Sequence, residues 1–220
     1  DGEVLIRGSS VFMGYFKNPE ATAKTIVDGW LHTGDIGKLD GDGFLSITDR
    51  KKHLIITAGG KNLAPANIEG ALKNADPLIS QVHAHGDRRP YVSAIIAPSP
   101  IETLEWGQDR GIVAAEEVQA RTRELMDDPA SRSQALADAM ATVTEHPEFR
   151  QRIQEAVGRG NRELAHVEQV RRFFLLTRDF SQEEGELTPT MKVKRGAIEK
   201  KFADQLSQIY TDEGFALDPR

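Results

Sequence analysis

Three short strings in this chain pair residue types that suit chemistry on phosphate and carboxylate groups. In Trp30-Leu31-His32-Thr33-Gly34-Asp35-Ile36-Gly37, Gly34 permits a close backbone approach. Asp35 sets a carboxylate beside it, suited to accepting hydrogen bonds from vicinal ribose hydroxyls. The run Gly43-Phe44-Leu45-Ser46-Ile47-Thr48-Asp49-Arg50-Lys51-Lys52 ends on Arg50, whose planar fork can grip ribose or phosphate oxygens, while Ile47 offers an apolar surface to an adenine face. In Leu187-Thr188-Pro189-Thr190-Met191-Lys192-Val193-Lys194-Arg195, a Pro-stiffened loop carries Lys192 just before a helix. An ammonium there reaches a carboxylate oxygen and a phosphate oxygen together, neutralising charge that develops when one attacks the other. Taken singly, each string also describes something plainer: a turn or cap, a solvated basic turn, a surface loop with three positive residues.

These strings need elements to hold them. Residues 4–7 read as a strand, 8–14 as a loop, and a short helix capped by Asn18, with Pro19 in its first turn, runs to about residue 27. Residues 30–39 and 44–48 form a hairpin joined by Asp40-Gly41-Asp42-Gly43. An apolar strand at 53–57, a Gly59-Gly60 turn, a helix over 64–72 and strands at 81–85 and 91–97 indicate a compact α+β domain beginning near residue 50. From 101 to about 170 the spacing turns helical, as at Leu136, Met140 and Val143, with breaks expected at Asp127-Asp128-Pro129 and at Gly158 to Gly160. A strand at 173–176 and a polar loop at 185–195 precede a helix over 197–210, with Ile198, Phe202, Leu206 and Ile209 on one face.

The 220 residues are 39% hydrophobic and 28% charged, a globular balance. A net charge of -6 argues against a nucleic-acid-binding surface, which needs clustered Lys and Arg. With no Cys there is neither a disulfide framework nor a thiolate metal site. His83 and His85 alternate on one strand face, but no third clustered ligand accompanies them in sequence, so no metal site is expected. Glu183, Glu184 and Glu186 read as a solvated acidic turn. Lacking an apolar run approaching ~20 residues, the chain is expected to be cytoplasmic. Its first residues enter directly as strand without an initiating Met or a leader, from which we expect a fragment.

Together and in this order, the three strings resemble the carboxy-terminal signature of the adenylate-forming (acyl-CoA synthetase, AMP-binding) superfamily, specifically its long-chain fatty-acid–CoA ligases. The segment from Gly14-Tyr15-Phe16 to Ala21-Thr22 and the run from Gly59-Gly60-Lys61 to Ile68-Glu69 fit as well. The resemblance implies an α+β fold: a mobile C-terminal domain at 51–220 with a mixed sheet flanked by helices and a helical insertion at about 101–170. It is preceded at 1–50 by the β-rich end of a large N-terminal domain. It implies formation of acyl-AMP from fatty acid and ATP, then of acyl-CoA by thiol attack of CoA. Asp35 would bind the ATP ribose, with Arg50 and Ile47 supporting the nucleotide. Lys192 would be the adenylation lysine and Lys52 the hinge about which the domain swings Gly59, Gly60 and Lys61 toward the thioester step. Mg2+ would come with ATP, held mainly by the N-terminal part. A peripheral membrane contact of the parent remains open.

The chain departs from the pattern at His53, where an acidic residue is frequent after the hinge. The family's phosphate loop and acyl tunnel belong upstream of Asp1, so the chain alone is expected to be inactive. Two rival readings stay open: an acyl-AMP ligase that hands its adenylate to a carrier protein, and a non-catalytic nucleotide- or CoA-docking module.

Overall fold

The chain opens with β1 (Glu3–Ile6), α1 (Pro19–Thr25), β2 (Ile26–Val27), β3 (Trp30–Leu39) and β4 (Leu45–Arg50), as seen in a computed structural model that describes residues 2–211 and 215–216. Asn18 caps α1 by accepting from the Ala21 N–H, and Pro19 starts it where a missing N–H costs nothing. The long β3 is the spine of the first sheet: β1, β2 and β4 all pair with it antiparallel. The β3–β4 turn closes on Asp40, whose Oδ1 accepts from the Asp42 and Phe44 N–H groups.

A 3-10 turn at Lys51–His53 leads to β5 (Ile55–Ile56) and β6 (Asn62–Leu63), a two-rung hairpin. The expected strand over 53–57 is therefore shortened. Its competitors are local: Leu54 N–H bonds back to the Lys51 carbonyl, and Ile56 is occupied by the Asp87 carboxylate and the Arg88 N–H.

The larger part follows as α2 (Pro65–Asn74), β7 (Ile79–His85), β8 (Val92–Pro98), α3 (Pro100–Gln108), α4 (Ala115–Asp127), α5 (Gln134–Thr144), α6 (Pro147–Asn161), β9 (Val170–Leu175), α7 (Arg195–Lys201), α8 (Ala203–Ile209) and β10 (Phe215–Ala216). Strand order is β10-β9-β8-β7, with β8 and β9 parallel and the other pairs antiparallel. The fold is α+β with a mixed sheet, as the sequence indicates. The helical segment is the crossover that the parallel pair requires, since parallel neighbours cannot be joined by a tight turn.

Every residue of β8 is buried, and its alternation divides the interior in two. Val92, Ala94 and Ile96 pack with α2 and the crossover helices, among them Leu72, Leu104, Val143 and Phe149. Ile95 and Ala97 face Phe180, Leu187, Ile198, Phe202 and Leu206 on the other side.

Three expectations are corrected. Gly158 to Gly160 does not interrupt the helix; α6 runs through it, because Gly160 brings α6 against α2, where an added Cβ would stand 2.8 Å from Leu72. The helix over 197–210 is two, since Phe202 leaves helical geometry (φ −106°, ψ 28°) as it buries its ring near Phe180. Glu186 is not solvated: its side chain is 0% exposed and takes both terminal nitrogens of Arg178 at 2.6 and 2.8 Å, with Lys201 Nζ at 3.0 Å.

Candidate functional site

Backbone register makes the first contact of the site. Asp35 lies opposite Arg50 across β3 and β4, so their side chains emerge on one face, and Arg50 Nε meets Asp35 Oδ1 at 2.7 Å. Gly34, at φ +70°, takes the left-handed conformation that glycine adopts without strain. Its N–H is held at 3.0 Å by Glu3 Oε1, and Glu3 Oε2 binds Lys51 Nζ at 2.8 Å. The hydrogen bond from Lys51 holds the Glu3 carboxyl down at about 2, against the upward pull of burial.

Asp35, Ile47, Thr48 and Arg50 line a cleft of about 630 Å³ whose far side is formed by Met191, Lys192, Val193 and Arg195. That volume is within the range of small-molecule sites. Thus Asp35, Ile47, Arg50 and Lys192, from segments far apart in sequence, share one cavity.

Lys192 is carried by a tight hairpin. The Met191 N–H donates to the Thr188 carbonyl, the Thr188 N–H to the Lys192 carbonyl, and the Lys192 N–H to Thr188 Oγ1, all between 2.8 and 3.0 Å. Leu187 and Val193 bridge at its base. Met191 sits at φ +59°, an uncommon conformation for a side chain of its size, which the surrounding hydrogen bonds impose. Lys192 itself is exposed to the cleft's solvent, so its ammonium is available to an anion.

Residues that the sequence reading did not single out complete the cleft. Asp49 binds the Ala66 N–H at 2.9 Å, capping α2 from the preceding sheet, because Ala64 in the N-cap position has no side chain to do so. Glu69 on α2 meets Arg195 at 2.5 Å and accepts from the Ala84 N–H at 2.8 Å. Burial pushes the Glu69 carboxyl up to about 7, with the Arg195 guanidinium opposing the rise. His53 is pushed down by burial and then by Arg195, so a cationic imidazole is disfavoured next to the expected hinge. The available signal was pairwise: Asp49 stands ahead of a Pro-headed helix with no cap of its own, and Arg195 closes the lysine loop.

Gly59, Gly60 and Lys61 do not line this cleft. They form the exposed tip of the β5–β6 hairpin, where Gly60 (φ +74°) turns the chain and Thr57 binds both the Gly60 and Lys61 N–H groups, at 2.8 and 3.2 Å. Lys52 is exposed in the 3-10 turn between the first sheet and that hairpin. The cleft thus gathers the nucleotide-type residues and the lysine, and leaves the glycine turn apart.

Folding also corrects the reading of the histidines. His83 and His85 do acquire a third neighbour, Glu199 of α7, whose Oε1 lies 3.8 Å from His83 Nε2 and 3.9 Å from His85 Nδ1. Sequence spacing could not show it, because Glu199 comes from beyond the crossover.

The chain matches the model of a family described as AMP-binding enzyme C-terminal domain over residues 52–126 and 130–214. It is 43% identical over 213 residues to the long-chain-fatty-acid–CoA ligase FadD15 of Mycobacterium tuberculosis, covering 97% of this chain and 32% of that protein. It is 35% identical over 229 residues to the long-chain-fatty-acid–CoA ligase heimdall of Drosophila melanogaster, covering 95% and 33%. The chain therefore spans about a third of the length of these relatives. Among solved structures it resembles the adenylation domain of a carboxylate reductase from Mycobacterium chelonae, with a TM-score of 0.62 and 27% identity, over 96% of this chain and 28% of that one. The A-PCP didomain of a carboxylic acid reductase from Segniliparus rugosus, in complex with AMP, gives a TM-score of 0.63 at 25% identity, over 96% and 25%.

Proposed function

Because the chain belongs to the family of AMP-binding enzyme C-terminal domains, we propose that it forms the lysine-bearing portion of a long-chain fatty-acid–CoA ligase, an ATP-dependent acid–thiol ligase. The observation that carries this reading is the shared cleft, in which Lys192 faces the Asp35–Arg50 pair. Asp35 accepts hydrogen bonds from ribose hydroxyls, and Arg50 fixes the carboxylate's orientation. Lys192 places its ammonium between the fatty-acid carboxylate and the α-phosphate, offsetting the charge that builds as the acyl-adenylate forms and pyrophosphate leaves. Ile47 gives the adenine an apolar wall. ATP with its Mg2+, fatty acid and CoA are the substrates of this reading, with Mg2+ and the acyl chain held mainly by the rest of the ligase.

The exposed glycine turn serves the second half-reaction. Rotation about Lys52 withdraws Lys192 and brings Gly59, Gly60 and Lys61 to the acyl-phosphate carbonyl, where a side-chain-free backbone lets the thiol arm pass. One observation favours a second acceptor, a carrier protein: the likeness to a didomain that includes a PCP.

The test uses the full-length protein that contains this chain. Lys192→Ala should lose pyrophosphate release by at least ~100-fold while thioester formation from supplied acyl-adenylate continues. Survival of both half-reactions would refute the lysine assignment. Supplying CoA or a phosphopantetheinylated carrier as the sole thiol decides the acceptor.

A further inference from the structure

Beyond the cleft, the geometry points to a binding site for one divalent transition-metal ion, of the Zn2+ class, held by His83 Nε2, His85 Nδ1 and Glu199 Oε1. These three donors lie within 4.8 Å of one another. Two come from alternate positions of β7, which place both imidazoles on one face of the strand. The third comes from α7, which begins just after the lysine hairpin.

The independent sign is the His83 ring. It is 0% exposed, and its Nε2 has no hydrogen-bond partner among the described residues. Buried polar nitrogens are nearly always bonded, so an orphan aimed at a second imidazole and a carboxylate calls for a ligand. Donors that share an ion at about 2.0–2.2 Å lie no more than about 4.4 Å apart, so a small inward movement closes the site. Glu199, half exposed at 51%, is free to make it and leaves the ion's approach open to solvent.

The donor set selects the metal. Two imidazoles and a carboxylate suit Zn2+, Co2+ or Ni2+, whereas Mg2+ and Ca2+ prefer all-oxygen sets. Three protein donors leave a fourth position for water. His83 Nδ1 faces Arg195 NH1 at 3.5 Å, a long contact that ligation through Nε2 gives up as the ring proton moves to Nδ1. Arg195 keeps its 2.5 Å bond to Glu69 and its 3.3 Å bond to the Ala84 carbonyl, and Glu69 offsets its charge beside the ion. A bound ion would tie α7 to β7 and so stiffen the base of the Lys192 hairpin.

The experiment is titration of the chelator-treated chain with ZnCl2 and CoCl2 by calorimetry, with MgCl2 in excess as a separate arm and the visible spectrum of the Co2+ form recorded. We expect one Zn2+ or Co2+ per chain, no displacement by Mg2+, and the intense visible bands of four-coordinate Co2+. Glu199→Gln and His85→Gln should each weaken binding more than about tenfold with the far-UV spectrum unchanged. His166→Gln, on an exposed histidine elsewhere, should leave it as it is. Absence of stoichiometric binding would overturn the site, as would binding that survives both Glu199→Gln and His85→Gln.

Discussion

Arg178→Met is the substitution that best probes how the Lys192 hairpin is held. Arg178 gives Glu186 two charge-assisted hydrogen bonds, 2.6 and 2.8 Å long, and Glu186 is 0% exposed. Next to it, the Glu186 carbonyl accepts the Lys194 N–H at 2.8 Å, so the pair anchors the strand that returns from the hairpin. Removing one partner of a fully buried ion pair costs about 3–5 kcal/mol, because the other charge is left without compensation. Two features reduce that here. Lys201 Nζ stays 3.0 Å from Glu186, the Ser181 N–H donates at 3.0 Å, and Arg178 is itself 32% exposed. We therefore expect a loss of about 2–3 kcal/mol, the lower part of that range. Urea unfolding followed by far-UV circular dichroism measures it, with an unchanged slope showing that only stability has moved. The double variant Arg178→Met/Glu186→Met should recover at least half of the loss, because a packed apolar pair carries no orphaned charge. Burial raises the Glu186 carboxyl pKa, but Arg178 and Lys201 overcome it and leave it below its ordinary 4.5. Its stabilisation is thus present above pH 4.5 and lost as pH falls through the lowered value. In Arg178→Met burial acts with less opposition, and the acid loss should begin at higher pH. A cost under about 0.5 kcal/mol for Arg178→Met, as for an ordinary surface pair, would refute the reasoning.

Asp49→Ala should cost about 1 kcal/mol by uncapping α2 and speed amide exchange at Ala66, while Asp49→Asn, which keeps an acceptor, should cost less; hydrogen exchange distinguishes them. Gly160→Ala should destabilise by about 1–3 kcal/mol, since its Cβ would stand 2.8 Å from Leu72 and 3.0 Å from the Ala71 carbonyl. Gly158→Ala, with nothing within 4 Å, should stabilise α6 by up to about 1 kcal/mol, so matched thermal melts should move in opposite directions. Glu3 is held at about 2, against 4.5 ordinarily, so what it adds to stability is fully present above pH 4.5 and lost as pH falls toward 2. Amide protection at Gly34 should follow that curve, and Glu3→Gln should flatten it.

Much of the architecture was legible because it rests on local rules. Asn18 and Pro19 open α1, Asp40 closes the β3–β4 turn, and the apolar run of β8 reads as a strand buried on both faces. Within the site, Asp35, Ile47, Arg50 and Lys192 were found from side-chain chemistry and order along the chain, and they do share a cleft. What was not legible depends on partners brought from far away. Glu186 looked like one of three solvated acids because Arg178 and Lys201 become its neighbours only when the chain folds. Glycine at position 160 reads as a helix breaker unless the surface of α2 is known to press against it. Glu199 joins His83 and His85 only across the whole crossover, and the cap that Asp49 provides belongs to a helix that starts sixteen positions later, at Pro65.

The parallel pairing of β8 with β9 has a kinetic meaning. Val92 and Val170 are partners, yet four helices intervene between them, so this rung forms only after a long loop has been closed at an entropic cost. The hairpin of β7 and β8 and the α2–β7 contact are near in sequence and need no such closure. Contacts of that kind form early, and distant ones late. On a ribosome, β7 and β8 would emerge well before β9 and wait with one edge unpaired, exposing an apolar template that a neighbouring chain could occupy. The crossover helices, by folding quickly on their own short-range contacts, shorten that interval. Everything beyond β9, the Lys192 hairpin included, is then assembled last onto a sheet that is already complete.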